Sequence, residues 1–501
     1  MQFASVSYAL FLAVAVAVYF ALPGPRSRSI WLLAASYLFY YTLSASWTFI
    51  LLGVTAFGYV TGLTLERSRT GRAGVAAGTM SRGTRTLLIA GITVVVGLLV
   101  IFKYATFAGE MFAAGAGALG LDVLPPSIAL ALPVGISFWT FQTIAYLVDV
   151  ARGTIRPERN IARYALFIAF FGHVTSGPIA RAGQLLPQLA EKRRFSFEHL
   201  RSGLLLMGWG FLKKLLVADP LGVIVGRVFG DPQALGSSGA VLAFAALAFA
   251  VQIYFDFSGY TDIVRGSARI FGIHLMPNFM RPYAATSIKD FWRRWHMTLM
   301  SWLRDYVYIP LGGSRVSRLR RYVNIVVVFA VSGIWHGAGL TFLVWGLLNA
   351  AYQIVGEFLT PVRDNLARAL GMSPDGRLRR TLRIAATFAL VTVAWVFFRA
   401  ESLSDAAFIL TRILTPATWT ADPAQLLDLG LGAPQLAVAT LAATLVFALE
   451  GLGSRVDLPG FVYRRPLVVR WALYQALLLS ILVFGYYGPG FTAADFVYFK
   501  F

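Results

Sequence analysis

Apolar runs of about twenty residues follow one another along nearly the whole chain, parted by short clusters of Arg and Lys. A helix of that length, rising about 1.5 Å per residue, matches the hydrocarbon thickness of a bilayer. A helix also satisfies its own backbone polar groups where no water is available. With 57% hydrophobic and 13% charged residues and a mean hydropathy of +0.67, the chain carries more apolar surface than a soluble core can absorb. The sequence therefore predicts an all-α, polytopic integral membrane protein.

The net charge of +21 would suit a nucleic-acid partner, but the basic residues lie between apolar runs, where the positive-inside rule puts them. Membrane lipid is the expected partner, and nucleic acid is not. Spans are expected near 4–22 and 30–43, in a third run that ends at Arg67, and near 87–103, 129–150, 201–227, 239–258, 322–340, 340–357, 381–398, 435–451 and 470–487, which makes about twelve. The loop holding Arg67, Arg69, Arg72, Arg82 and Arg85 is then cytoplasmic, as is the one holding Arg363, Arg368, Arg377, Arg379 and Arg380, with both termini outside. The first run lacks a basic n-region and a cleavage site, so it is expected to be a retained span. Residues 164–189 are too interrupted for a simple span, because His173, Gly177, Pro178 and Arg181 break the run. A re-entrant element is expected there, with His173 either structural or lining a chamber. No long linker separates domains, so one membrane domain over 1–501 is expected, in three parts: 1–125, 126–357 and 358–501.

Polarity is concentrated between Phe255 and Leu340, in FDFSGYTD (255–262), NFMRPY (278–283), KDFWRRWHMTL (289–299), WLRDYVYIPLGGSR (302–315) and SGIWHGAG (332–339). Amphipathic helices at or dipping below the cytoplasmic surface are expected over 261–321. Asp290 and Arg294 stand at i,i+4 beside His296, a pairing that would stiffen the RRWH turn. His336 falls in an apolar run, where an ionisable group is costly and marks a functional site by default. Histidine titrates near neutrality and is suited to take a proton from a hydroxyl; the other role that fits is a helix-packing histidine. Flanking Gly333, Gly337 and Gly339 favour close approach of a backbone or substrate. Arg281, Lys289, Arg293 and Arg294 suit either donor phosphates or anionic lipid headgroups. Cysteine is absent, which excludes disulfides, thiolate metal sites and an acyl-cysteine intermediate. There is no GxxxxGK[ST] or HExxH motif either, so neither an ATP-driven pump nor a metalloprotease is expected, and no metal is assigned.

The ordered motifs LPVGISFWTFQTIAYLVDVARG (132–153), GPIARAGQLLPQL (177–189), QIYFDFSGYTD, DFWRRWH, WLRDYVYIPLGG, WHGA, WVFFRAESL (395–403) and the terminal FVYFKF carry a resemblance over nearly all of the chain. It resembles the membrane-bound O-acyltransferase superfamily, in particular its bacterial polysaccharide O-acetyltransferases of the alginate type. The resemblance implies helices around a central tunnel, His336 of the WHG motif as the catalytic residue and His296 of RRWH as the second family histidine. Trp335, Asp256, Arg281, Lys289, Arg293 and Arg294 join them as candidate substrate- or donor-binding residues. It also implies acetyl-CoA as a substrate rather than a bound cofactor, and an exported polysaccharide as acceptor. A periplasmic SGNH-type acetyltransferase is an implied partner, and the bacterial inner membrane the implied location. Two alternatives stay open: D-alanyl transfer from a carrier protein to teichoic acid, and a polysaccharide-export component using Asp256 and His336 as a proton relay.

Overall fold

A computed structural model describes residues 1, 3–70, 80–121, 132–233, 238–419, 429–453 and 458–487. Arg72, residues 129–131 of the expected fifth span and the terminal FVYFKF lie outside them. The described residues form helices, with no strand among them. By internal packing they fall into two compact units, Met1–Leu204 with Val264–Met276, and Leu205–Ile263 with Pro277–Phe501.

The first unit is built on Ile136–Arg152, which is buried along almost its whole length. Helix Ala45–Thr70 presses on it through Gly58 and Gly62, where an added Cβ would meet Thr143 Cγ2 at 3.0 Å and the Tyr146 ring at 2.6 Å. Small residues four apart are how apolar helices gain van der Waals contact in lipid, where burial alone gives no driving force. The expected interruption is present: helix Ile161–Ala169 ends, turns follow, and helix resumes at Ala182–Ala190. Phe170, Phe171, His173, Val174, Thr175 and Ser176 in those turns are buried. His173 Nδ1 lies 3.1 Å from Gln142 Nε2, a contact that fits the structural role.

In the second unit the end of helix Phe197–Leu212, from Leu205 on, runs into a π-helical stretch, Lys213–Ala218, and on into Asp219–Gly230. It crosses Gly239–Ile270 backbone against backbone: a Cβ on Gly210 would lie 2.5 Å from Gly259 O. Gly259 of the FSGY motif is thus a packing residue. Arg318–His336 and Leu340–Phe358 form a helical hairpin closed by Gly337, Ala338 and Gly339. A Cβ on Gly333 would overlap Phe342 O, and one on Gly346 would overlap Phe329 O, so the pair is antiparallel and in close backbone contact.

Six described helices are long and apolar enough to cross a membrane: Ala45–Arg69, Arg82–Gly117, Gly239–Ile270, Arg377–Arg399, Ala433–Leu452 and Leu467–Phe484. The pair Leu340–Phe358 and Thr360–Ala369, bent by 53°, makes a seventh if it is one span. Other expected spans differ for identifiable reasons. Val6–Ala21 has only 16 residues, the 201–227 run holds buried Lys213, Lys214 and Asp219, and 322–340 stops at His336. Helix Leu467–Phe484 buries no residue against the protein, the surface expected of a lipid-facing helix.

Candidate active site

Residues 278–298 form a loop whose arms are tied together around the RRWH motif. Met280 N–H donates to Arg294 O at 3.0 Å and Met297 N–H to Asn278 O at 2.9 Å. Asn278 Oδ1 accepts from Thr298 N at 3.3 Å and from the Thr298 hydroxyl at 2.6 Å. His296 sits inside that clasp as the N-cap of Met297–Leu303, with φ 43° and ψ 53°. His296 and Arg281, at φ 48°, are the non-glycine residues with positive φ among those described. Left-handed backbone costs a residue with a Cβ about 1–2 kcal/mol and persists where the surroundings over-determine it, as at functional sites. His296 is buried, with Phe257 edge-on at 4.7 Å between ring centroids.

His336 ends its helix at Gly337, whose added Cβ would overlap the Phe342 ring, so the chain turns tightly beneath the imidazole. Its ring is enclosed by Trp335 at 4.5 Å, Trp345 at 4.9 Å and Phe398 at 5.1 Å. Only 4% of His336 is exposed, which keeps bulk water from competing for a proton on the ring. Trp335 also lies 6.1 Å from His296. One indole therefore contacts both imidazoles, although 40 positions separate the two histidines (336 − 296 = 40).

The remaining sequence candidates divide. Lys289 and Arg293 are exposed on Ile288–Arg294, Arg281 is half-buried in its left-handed turn, and Arg294 is held by Asp290 at 2.9 Å. Within 261–321, where amphipathic helices are expected, the end of Gly239–Ile270 is followed by two seven-residue helices, Ile288–Arg294 and Met297–Leu303, and a π-helical turn, Arg304–Tyr308. Asp256 is buried in an ion pair with Lys214 at 2.7 Å.

The profile of the membrane-bound O-acyltransferase family matches residues 138–374, a range that holds both histidines. A protein of Pseudomonas aeruginosa named "Probable alginate O-acetylase AlgI" is 36% identical over 410 residues, covering 82% of this chain and 74% of that one. The chain belongs to the membrane-bound O-acyltransferase family. It is an enzyme of O-acyl transfer, and a purely non-enzymatic export role is set aside. The peptidoglycan O-acetyltransferase of Helicobacter pylori is 32% identical over 80% of this chain and 77% of its own. The teichoic acid D-alanyltransferase of Bacillus subtilis is 26% identical over 53% and 68%.

In this O-acyltransferase several residues that sequence reasoning did not single out complete the site. Trp345 and Phe398 reach His336 from Leu340–Phe358 and Arg377–Arg399. Trp395 of the same WVFFR motif packs on Trp345 and Trp295. Trp292 Nε1 donates to Asn349 Oδ1 at 3.1 Å, and Asn349 Nδ2 donates to Trp345 O at 2.8 Å. That chain of bonds fixes the RRWH helix to the hairpin carrying His336. The WVFFR motif was visible as a string, but nothing in its spacing pointed to His336. A buried ionic group was likewise missed: Lys214 bridges Asp256 and Asp219 at 2.7 and 2.8 Å, and Lys213 pairs with Asp262 at 2.9 Å and Glu450 at 3.6 Å. The π-helical turn widens the helix so that two consecutive lysines both point inward.

Proposed function

We propose that this enzyme moves an acetyl group from cytoplasmic acetyl-CoA to hydroxyls of an exported or cell-surface polysaccharide of the alginate class. The acceptor is acetylated directly or through a periplasmic SGNH-type acetyltransferase, at the bacterial inner membrane. The chain acts as one membrane-embedded domain over 1–501, with about twelve spans around a tunnel and His336 at its narrowest point. The observation that carries the reading is the Trp335 indole in contact with both His336 and His296. Similarity to a protein named for alginate O-acetylation supports the acceptor class.

In the reaction His336 takes the proton of the acceptor hydroxyl as that oxygen attacks the thioester carbonyl. The carbonyl oxygen gains negative charge in the tetrahedral intermediate, which needs hydrogen-bond donors held in place beforehand. As the C–S bond breaks, the imidazolium returns its proton to the departing thiolate. An acetyl ester and free coenzyme A result. The ring enclosure of His336 keeps water from replacing the sugar hydroxyl as nucleophile. Exposed Lys289 and Arg293, with Arg281, meet the donor's phosphates, and Arg294 with Asp290 holds the RRWH turn. Asp256, paired with Lys214 at 2.7 Å, is kept as a candidate for substrate or donor binding.

The test is turnover by protein purified into nanodiscs. Release of free coenzyme A from acetyl-CoA, dependent on added alginate-type oligomers or on the periplasmic partner, is the expected result. Consumption of a D-alanyl carrier-protein thioester, with acetyl-CoA left intact, would overturn it in favour of D-alanylation.

A further inference from the structure

Asn278 is almost fully buried, at 1% exposure, and every bond it makes falls on the two residues after His296. Its carbonyl accepts from Met297 N. Its side-chain oxygen accepts from both the backbone and the hydroxyl of Thr298. A backbone N–H can only donate, so the atom facing Thr298 N must be the amide oxygen. The orientation of the amide is therefore fixed by chemistry. The same residue starts the NFMRPY loop, whose Met280 is bonded to Arg294 just before His296. Asn278 thus restrains the chain directly after His296, while its loop restrains it directly before.

We propose that Asn278 is the positioning residue that holds His296 in its left-handed conformation and so aims the imidazole at the Trp335–His336 face. Without that restraint His296 gains by relaxing toward the right-handed region, since left-handed backbone is disfavoured for a residue with a Cβ. Relaxation rotates the Cα–Cβ bond and carries the ring away from Trp335. A displacement of about 1 Å at a reacting site can cost about 10²-fold in rate, with no need for Asn278 to touch substrate. Asp at this position offers the same acceptor oxygen to Thr298; Ala offers none.

The inference rests on the assignment of His296 to the acyl-transfer site, and the experiment separates the two. Acetyl transfer by Asn278→Ala, Asn278→Asp, Thr298→Val and His296→Ala is measured per folded molecule in nanodiscs, alongside thermal stability and acetyl-CoA affinity. A cryo-electron-microscopy structure of Asn278→Ala completes the set. The expected result is a fall in kcat of about tenfold or more for Asn278→Ala, with acetyl-CoA affinity unchanged and His296 at negative φ. Asn278→Asp recovers most of the rate, and Thr298→Val, which removes one of the three bonds, loses less than Asn278→Ala. If Asn278→Ala does not fold, the ordering of Thr298→Val below wild type with unchanged donor affinity carries the test. A structure of Asn278→Ala that keeps His296 at positive φ, or a full rate per folded molecule for both Asn278→Ala and Thr298→Val, would overturn the inference. Full activity in His296→Ala would instead remove the site assignment beneath it.

Discussion

At the scale of single residues, His336 combines two properties that a general base needs: an imidazole, and surroundings of Trp335, Trp345 and Phe398 that exclude competing water. His336→Asn keeps the size and hydrogen-bonding capacity of the side chain but cannot accept the proton at neutral pH. It is expected to lower acetyl transfer by about 10²- to 10⁴-fold at unchanged protein level in the membrane, measured as coenzyme A release. His296→Ala is expected to lose less and to retain measurable turnover, since the role proposed for His296 is orientation rather than proton transfer. Both histidines and Trp335 were legible in the sequence, since an ionisable or aromatic group inside a motif-rich apolar stretch stands out. Asn278, Trp345 and Phe398 were not. They reach the histidines by folding, from 18, 9 and 62 positions away along the chain, and no periodicity reports such a contact. The positive φ of His296 was equally hidden, because left-handed backbone at a residue other than Gly or Asn leaves no compositional trace.

At the scale of elements, the hairpin Arg318–His336 and Leu340–Phe358 decides where His336 sits. Its glycines differ in their work. Gly346→Ala drives a Cβ into the Phe329 carbonyl, and overpacking of that kind costs about 1–3 kcal/mol. Gly339 has φ −162°, which any residue adopts, and its added Cβ would stand 3.6 Å from Phe342, an ordinary contact. Gly339→Ala should therefore change stability by less than about 0.5 kcal/mol, while Gly346→Ala unfolds at clearly lower temperature; fluorescence-monitored melting in detergent compares them. The sequence showed the glycines and expected close approach at all three flanking positions, and that approach occurs at Gly333 and Gly337. It did not show that the run 322–340 breaks at Gly337, because hydropathy is continuous through a turn made of Gly and Ala. The π-helical turn at Lys213–Ala218 was hidden for a related reason: the carboxylates its lysines meet are brought together by folding, Asp256 and Asp262 from Gly239–Ile270 and Asp219 from just after the turn.

At the scale of the whole molecule, an all-helical membrane protein was legible because long apolar runs admit few other forms. The number of spans was less so. A hydropathy run does not separate a crossing helix from a buried broken one, as residues 161–190 illustrate. Sidedness rests on the arginine clusters, and the absence of cysteine makes it measurable. Single cysteines at Arg85 and Arg368, both exposed, should resist an impermeant maleimide added outside intact cells and react once the membrane is opened. The central claim joins sidedness to chemistry: acetyl groups enter from the cytoplasmic face and leave on an acceptor at the other face through His336. Its most direct measurement uses proteoliposomes with radiolabelled acetyl-CoA sealed on the cytoplasmic side and alginate-type oligomers, with the periplasmic partner, on the opposite side. The account predicts label on the outer acceptor with the wild-type chain and none above background with His336→Ala at equal incorporation. Near-normal labelling by His336→Ala would make His336 a packing residue and place the chemistry elsewhere.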